Sequence, residues 1–443
     1  MQKLRLAPLC AFVLLASASV RAAEPLGNTL EDFFTAAINY SPGLRAAQER
    51  WNIGDARVDF ATGQLLPQIS ASGTVSDNTR SEPNQLDQDY RGRRYGVQLS
   101  QVLFNWQAFA ARKQASLQEN QFEAQYYVQL AQLLTEVADG YLTVLQAEDA
   151  LRSINAELEA ITNQLNQIQR LFDLQLAKIT DLYNAQAQLA SVQTQRITAE
   201  SDLTIARETL RANTGLGVGA LNRLPDDQTM APLEGMLEDW LARASANNQS
   251  ISASNYALQV ADKTVSMRRG AYMPRVSLVL QRQSSDVGFD NLQLNRYDTN
   301  YIGIDFSMPL FAGGSNRAQV REALSQRNMA ESELQQVSLD VMNRARTAYF
   351  QTKAGEARVE AAKLLAESTA TASAAMQRGF ELGTETSVNV LNALRDQFRA
   401  ERDLQKARYD LIRATLVLER EAGTLDAADM QAVSNQLNAP PAQ

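Results

Sequence analysis

Apolar residues recur with the period of a helix through residues 108–213. Across Ala147, Leu151, Ile154, Leu158, Ile161, Leu165, Ile168 and Phe172 the steps alternate four and three, the repeat of a coiled coil. The stretch of 106 residues has no proline and one glycine, Gly140. Ala, Gln, Leu and Glu dominate it, and all four favour helix. One break is expected between Gln175 and Thr180, where Thr180 or Asp181 would cap a returning helix from Leu182 to Asn213. A helix of about 65 residues, rising ~1.5 Å each, is on the order of 100 Å long. Taken alone, the stretch describes a rod.

A different period precedes it. After Pro67, apolar or small residues alternate with polar ones at Ile69, Ala71, Gly73 and Val75, and again at Tyr95, Val97 and Leu99. Between them lies a polar stretch over 78–94. This predicts two strands of roughly ten residues joined by a long polar loop. Upstream, Asn28 or Thr29 is placed to cap a helix from Leu30, Ser41-Pro42-Gly43 breaks it, and a second helical run spans 44–63. Downstream, Gly215, Gly217 and Gly219 end the long hairpin, and 221–232 is rich in turn formers.

The chain then repeats itself. Pro274 follows Pro67 by 207 residues, as Leu310-Phe311 follows Leu103-Phe104. Tyr349 follows Tyr141 by 208, as do Phe380 and Phe172, Asn392-Ala393 and Asn184-Ala185, and Gly423 and Gly215. An offset held constant over this length predicts a tandem duplication. The second half has the same texture: a helical run over 237–269, alternating Val276, Leu278 and Leu280, a polar loop over 284–298, alternating Ile302, Ile304, Phe306 and Met308, then no proline from 316 to 422. Its helical seam is smaller, with Ala362, Ala366, Thr369 and Ser373. The last 20 residues, ending Ala439-Pro440-Pro441, read as a loosely ordered tail.

Strands of this length match the 9–11 residues that a tilted strand needs to cross a bilayer. Tyr95, Trp106, Phe289, Tyr301 and Phe311 fall near strand ends, where interfacial aromatics sit. The same alternation also fits a soluble four-stranded sheet packed on helices. Four strands cannot close a transmembrane barrel, so a membrane reading requires several chains, with the long helices projecting into water.

Composition narrows the chemistry. Lys3 and Arg5, an apolar run from Leu9 to Ala18, and small residues up to Ala22-Ala23 read as a secretory signal over 1–22. The single cysteine, Cys10, lies inside it, so the mature chain would hold no thiol and rely on packing instead of disulfides. There is no histidine. Without thiol, imidazole or a glycine-rich phosphate loop, no catalytic residue, metal ligand or cofactor site is legible, and an enzyme is disfavoured. A net charge of −8 argues against nucleic acid. Arg91, Arg93 and Arg94 form a basic cluster that can meet lipid phosphates or the nearby Asp87 and Asp89.

With these residues in view, the chain resembles the TolC family of outer-membrane exit ducts over nearly its whole mature length. The resemblance rests on the two tandem halves, on Leu66-Pro67 and Met273-Pro274, and on Gln101-Val102-Leu103-Phe104 and residues 308–314 at the strand ends. It rests also on 172–185, with Ile179-Thr180-Asp181, and on 379–384. It implies a mainly α fold with a small membrane β part: a tandem-duplicated protomer in a homotrimer, its 12-stranded β-barrel continued by a long α-helical periplasmic barrel. Residues 23–66 and 233–273 would be helical-barrel segments, 67–104 and 274–311 transmembrane hairpins, and 105–214 and 312–422 long helical hairpins. Residues 215–232 and 423–443 would form a collar. The implied setting is the outer membrane, extending into the periplasm, with outer-membrane lipid, a periplasmic adaptor and an inner-membrane transporter as partners, for drug efflux or type I secretion.

The resemblance also implies a gate at the inner ends of the helices. The family's two constricting aspartates correspond to Asn389 and Asn392 here. Its usual tyrosine and arginine correspond to Phe380 and Glu385, and their partners to Thr180 and Asp181. Four departures weigh against an acidic, cation-binding constriction. Glu385 beside Asp181 would repel unless Lys178 pairs with one of them. Each residue also has a plainer reading: caps for Thr180 and Asp181, a solvated stripe for the asparagines, packing for Phe380. The competing identity is a secreted coiled-coil structural or adhesive protein without channel activity.

Overall fold

The computed structural model describes residues 26–81, 83, 86–225, 232–287, 293–425 and 427–437. The expected signal over 1–22 and Phe289 lie outside the described residues. In chain order, β1 (Leu26–Gly27), α1 (Leu30–Tyr40) and α2 (Pro42–Gly63) lead to strands β2 (Gln68–Arg80) and β3 (Gln88–Asn105). Then come α3 (Trp106–Asp173), α4 (Ile179–Thr214) and β4 (Gly217–Val218). α5 (Leu237–Asn247) and α6 (Gln249–Arg269) precede β5 (Arg275–Val287) and β6 (Gln293–Ser307), and α7 (Ser315–Glu381), α8 (Ser387–Ala422) and α9 (Ala427–Gln436) complete the chain. Helix lengths match between the halves: 11 residues for α1 and α5, 68 and 67 for α3 and α7, 36 for both α4 and α8.

Local signals explain most helix starts. Thr29 Oγ1 accepts from the Asp32 amide at 3.2 Å while Asp32 accepts from the Thr29 amide at 3.0 Å, a reciprocal box that starts α1. The Thr29 amide holds the Asp32 carboxyl below its ordinary range. Ser41 caps α2, with Pro42 in its first turn. At α4 the expectation fails. Its cap position is Lys178, with no side-chain cap bond, and Thr180 and Asp181 already lie inside the first turn. Asp181 still favours the helix there, because its charge faces the positive end of the helix dipole.

β2, β3, β5 and β6 form one antiparallel sheet in that order, so β2 and β6 are its edges. The strands run 13, 18, 13 and 15 residues, longer than the expected ten. Most of the expected polar loops over 78–94 and 284–298 are strand. Backbone pairing continues whatever the side chains are, whereas alternation is legible only where one face carries apolar side chains. That face is continuous across the sheet. Ile69, Leu99, Leu280 and Ile302 stand in one row, Leu278 faces Ile304, and Val276 faces both Phe104 and Phe306. Ile69 is 72% exposed and Ile302 75%. The opposite face carries Ser70, Ser72, Thr74, Gln98, Ser100, Ser277, Gln281, Gln283 and Asp305.

The main core lies partway along α3. Tyr141, Leu142, Val144 and Leu145 are buried there with Leu30 and Phe33 of α1 and Tyr409, Ile412 and Leu416 of α8. Burial pushes the Tyr141 and Tyr409 hydroxyls well above their ordinary range. The Tyr141 hydroxyl lies 3.1 Å from the Asn28 carbonyl and 3.0 Å from that of Asn222, fastening both connecting segments to the helix. β1 pairs with β4 in the same region. Within the expected loose tail, Met430 and Val433 of α9, and Leu437 after it, are buried in this core, and 438–443 lie outside the described residues. The apolar positions of α9 are too few for a periodic signal, which is why the sequence hides the helix. Among the described residues no helix is long and apolar enough to cross a membrane.

Candidate functional site: the free ends of the helical hairpins

Far from the sheet, α3 turns into α4 and α7 into α8, and the two turns share one core. Ile154, Ile161 and Ile168 of α3, Leu182, Ala185 and Val192 of α4, and Val390, Leu391 and Leu394 of α8 are buried together. Phe172 and Phe380 pack on its edge.

The turns are built alike, one position at a time. Gly383 (φ 76°) and Gln175 (φ 60°) occupy the left-handed region at equivalent places. Thr386 caps α8 by accepting from the Asn389 amide at 3.3 Å, while its counterpart Lys178 does not cap α4. The Thr384 and Glu385 amides both donate to the Gly379 carbonyl, at 2.8 and 3.2 Å. A Cβ on Gly379 would come within 2.7 Å of the Glu385 side chain, so glycine lets the turn close.

Glu385 accepts from the Asn389 amide group at 2.9 Å. Among the described residues no ion pair joins Lys178, Asp181 and Glu385, and the side chains of Thr180 and Asp181 have no hydrogen-bond partner. Asn389 and Asn392 are both exposed, on the face of α8 away from buried Val390, Leu391 and Leu394. The structure thus brings Glu385 and Asn389 together and sets Asn392 one turn on.

The sequence reading missed a second stripe on α3. Glu157, fully buried, receives Arg402 of α8 at 2.7 Å, and Gln164 is buried one heptad further. One oxygen of Glu157 and the Gln164 amide nitrogen have no partner. Beside them is a cleft of about 790 Å³ lined by Asn163, Gln164, Gln167, Arg170, Gln377 and Leu394, among others. The seven-residue spacing of Glu157 and Gln164 was a visible signal, but polar residues one step off an apolar seam read as solvated.

Comparison with known proteins agrees with this architecture. The family model described as outer membrane efflux protein matches twice, over residues 35–216 and 240–424. Outer membrane protein TolC of Vibrio cholerae is 29% identical over 413 residues, covering 91% of this chain and 93% of its own. Alkaline protease secretion protein AprF of Pseudomonas aeruginosa is 27% identical over 416 residues, covering 91% and 86%. Among solved structures, the outer membrane protein VceC of Vibrio cholerae superposes with a TM-score of 0.76 at 18% identity, over 89% of this chain and 96% of that one. CusC, a transmembrane channel by its description, superposes with a TM-score of 0.78 at 15% identity, over 91% and 95%. The matched pattern covers two long halves of one molecule, each with paired strands and a long helical hairpin. The chain belongs to the TolC family of outer membrane efflux proteins and resides in the outer membrane, reaching into the periplasm.

Proposed function

We propose that three copies of this chain form an exit duct that carries small molecules or proteins across the periplasm and outer membrane. The observation that carries this reading is the sheet: apolar on one face, polar on the other, and open at both edges. An open edge in lipid leaves a row of backbone groups without partners, at several kcal/mol each. Because β2 and β6 run in opposite directions, β6 of one copy meets β2 of the next antiparallel, and three copies give 12 strands. The polar face then lines a watery lumen and the apolar face meets lipid.

The helices continue the tube. In this reading the matched halves descend from a tandem duplication, and the face that α3 turns to α8 within a chain recurs on α7, turned to α4 of a neighbour. Large side chains left exposed on α4 and α7 support this: Ile197, Ile205, Met329, Leu339, Leu364 and Leu365. The β1–β4 pair, residues 215–225 and α9 form the collar; residues 226–231 of the expected collar lie outside the described residues. A periplasmic adaptor docks along the hairpins, where the amide-lined cleft offers a polar groove, and an inner-membrane transporter drives the cargo.

The gate is assigned to the hairpin ends. Asn389 and Asn392 line the constriction, Glu385 orients Asn389, and Phe380, Thr180 and Asp181 set how tightly the ends close. Neutral amides narrow the pore by hydrogen bonding without a fixed charge. The test is reversal potential in planar bilayers. Asn389→Asp with Asn392→Asp is expected to raise cation preference over the parent. An unchanged reversal potential would contradict this placement of the asparagines.

A further inference from the structure

Past its apolar band the lipid-side face of the sheet changes character. Moving away from the helices, the cross-strand rows run Ala71–Val97–Arg282–Asn300, then Gly73–Tyr95–Ser284–Asp298, then Val75–Arg93. Alternation places Asp286 and Arg296 on this same face. The Arg93 amide donates to Asp286 at 2.5 Å. Arg91, one row further, is closed against Asp77 at 3.0 Å, and Arg94 points to the opposite face. The basic cluster of the sequence is therefore split. Arg93 is joined instead by two arginines of the other hairpin.

These three guanidinium groups are under-committed. Arg282 is 74% exposed and lies 3.9 Å from Asp298, the long limit of an ion pair. Arg296 donates to the Ser284 hydroxyl at 3.0 Å. Among the described residues neither the Arg93 nor the Arg296 guanidinium has a carboxylate partner. The rows from Val97 to Arg93 span four residues, ~13 Å at ~3.3 Å per residue. Exposed Tyr95 sits between them, at the level where amphipathic aromatics mark a membrane boundary.

We propose that Arg93, Arg282 and Arg296 bind the phosphate groups of lipids in the outer leaflet that surrounds the duct. This rests on the reading that the sheet spans the membrane. Two features support it: the patch is continuous with the apolar, lipid-side band, and guanidinium forks match phosphate oxygens two at a time. The bound headgroups would pin the height of the barrel in the bilayer and brace the junction of its two hairpins.

The test uses the full-length protein reconstituted into phosphatidylcholine nanodiscs holding a minor fraction of lipid A. A parallel set holds lipid A stripped of its phosphates. Lipid retained after stepwise detergent delipidation is counted by native mass spectrometry. The parent is expected to retain phosphorylated over dephosphorylated lipid A, and R93Q/R282Q/R296Q to lose that preference roughly fivefold to tenfold. R91Q, whose arginine is already paired, is expected to keep it. If the triple variant does not assemble, R93Q and R296Q singly must each lose part of the preference. Equal retention in parent and variants overturns the proposal. So does displacement of the lipid by inorganic phosphate, which would mark a site indifferent to lipid. Failure of the parent to insert overturns the membrane reading itself, while insertion without preference overturns only the arginine assignment.

Discussion

The two halves of the molecule share lengths and turns but not surfaces. On α3, three acidic side chains are clamped by α8: Glu157 by Arg402, Asp149 by the Tyr409 hydroxyl at 2.6 Å, and Asp139 by Arg413 at 2.6 Å. The positions 208 residues on, along α7, are Leu365, Ala357 and Thr347; those 208 back, along α4, are Thr194, Ser201 and Ile205. All six are exposed in the single chain. One seam is thus fastened inside the protomer by polar clamps. Its counterpart is uncharged and bare, as the proposed duct requires of a face that another copy covers. The difference teaches that one helical geometry can carry two kinds of surface; in the proposed duct, one seam is internal to a chain and the other faces a neighbouring copy.

The largest expected effect breaks the internal seam. Arg402→Met strands Glu157 as a buried charge and is expected to cost about 3–5 kcal/mol. Thr194→Met, at the equivalent place on α4, leaves no charge behind and should cost far less. Heat unfolding of the detergent-solubilised protein, followed by helical circular dichroism, compares the two. Similar melting points would remove the asymmetry.

A smaller effect separates the hairpin cores. Ile161 is fully buried, and Ile161→Ala is expected to cost about 2–5 kcal/mol. Its counterpart Thr369 is half-buried and bonds back to the Leu365 carbonyl at 2.9 Å. Thr369→Ala should change the same melting curve little. A loss at Thr369 equal to that at Ile161 would mean that the second seam is as densely packed as the first.

How much of this the sequence showed follows from where its patterns had a cause. The heptad seam through Ile154, Ile161 and Ile168 was legible because an apolar stripe must be covered. The alternation at Ile69, Val97, Leu280 and Ile302 was legible because one face of the sheet is apolar. Strand past Asn78 or Ser284 was not, since neither face there is apolar. Glu157 and Arg402 were hidden because each becomes meaningful only when α8 lies on α3, some 245 residues away in the chain. Of the gate candidates, Glu385 stood beside Asp181 in the sequence analysis; because it precedes α8, its bond to Asn389, like the missing cap at Lys178, needed the turn itself.

The smallest expected effect sharpens the comparison of turns. Gln175 sits in the left-handed region where its counterpart is Gly383, a strain of about 1 kcal/mol for a residue with a Cβ. Gln175→Gly is expected to stabilise the first turn by up to that amount, and Gly383→Gln to destabilise the second by a similar amount. Amide hydrogen exchange across 172–182 and 380–390 reads both. Faster exchange at 172–182 in Gln175→Gly would show that flexibility, not strain, dominates there.

The proposed duct requires above all that the sheet's edges be closed by other copies of the chain. The only native cysteine is Cys10, so cysteines placed on the two edge strands report cleanly. Paired substitutions at Ser70, Ser72 or Thr74 of β2 and Thr299, Tyr301 or Gly303 of β6, oxidised in intact outer membranes, are resolved on a non-reducing gel. At least one pairing should drive the protein into a covalent species of three chains. A band that stays at one chain for every pairing would mean that the edges never meet, and would contradict the duct.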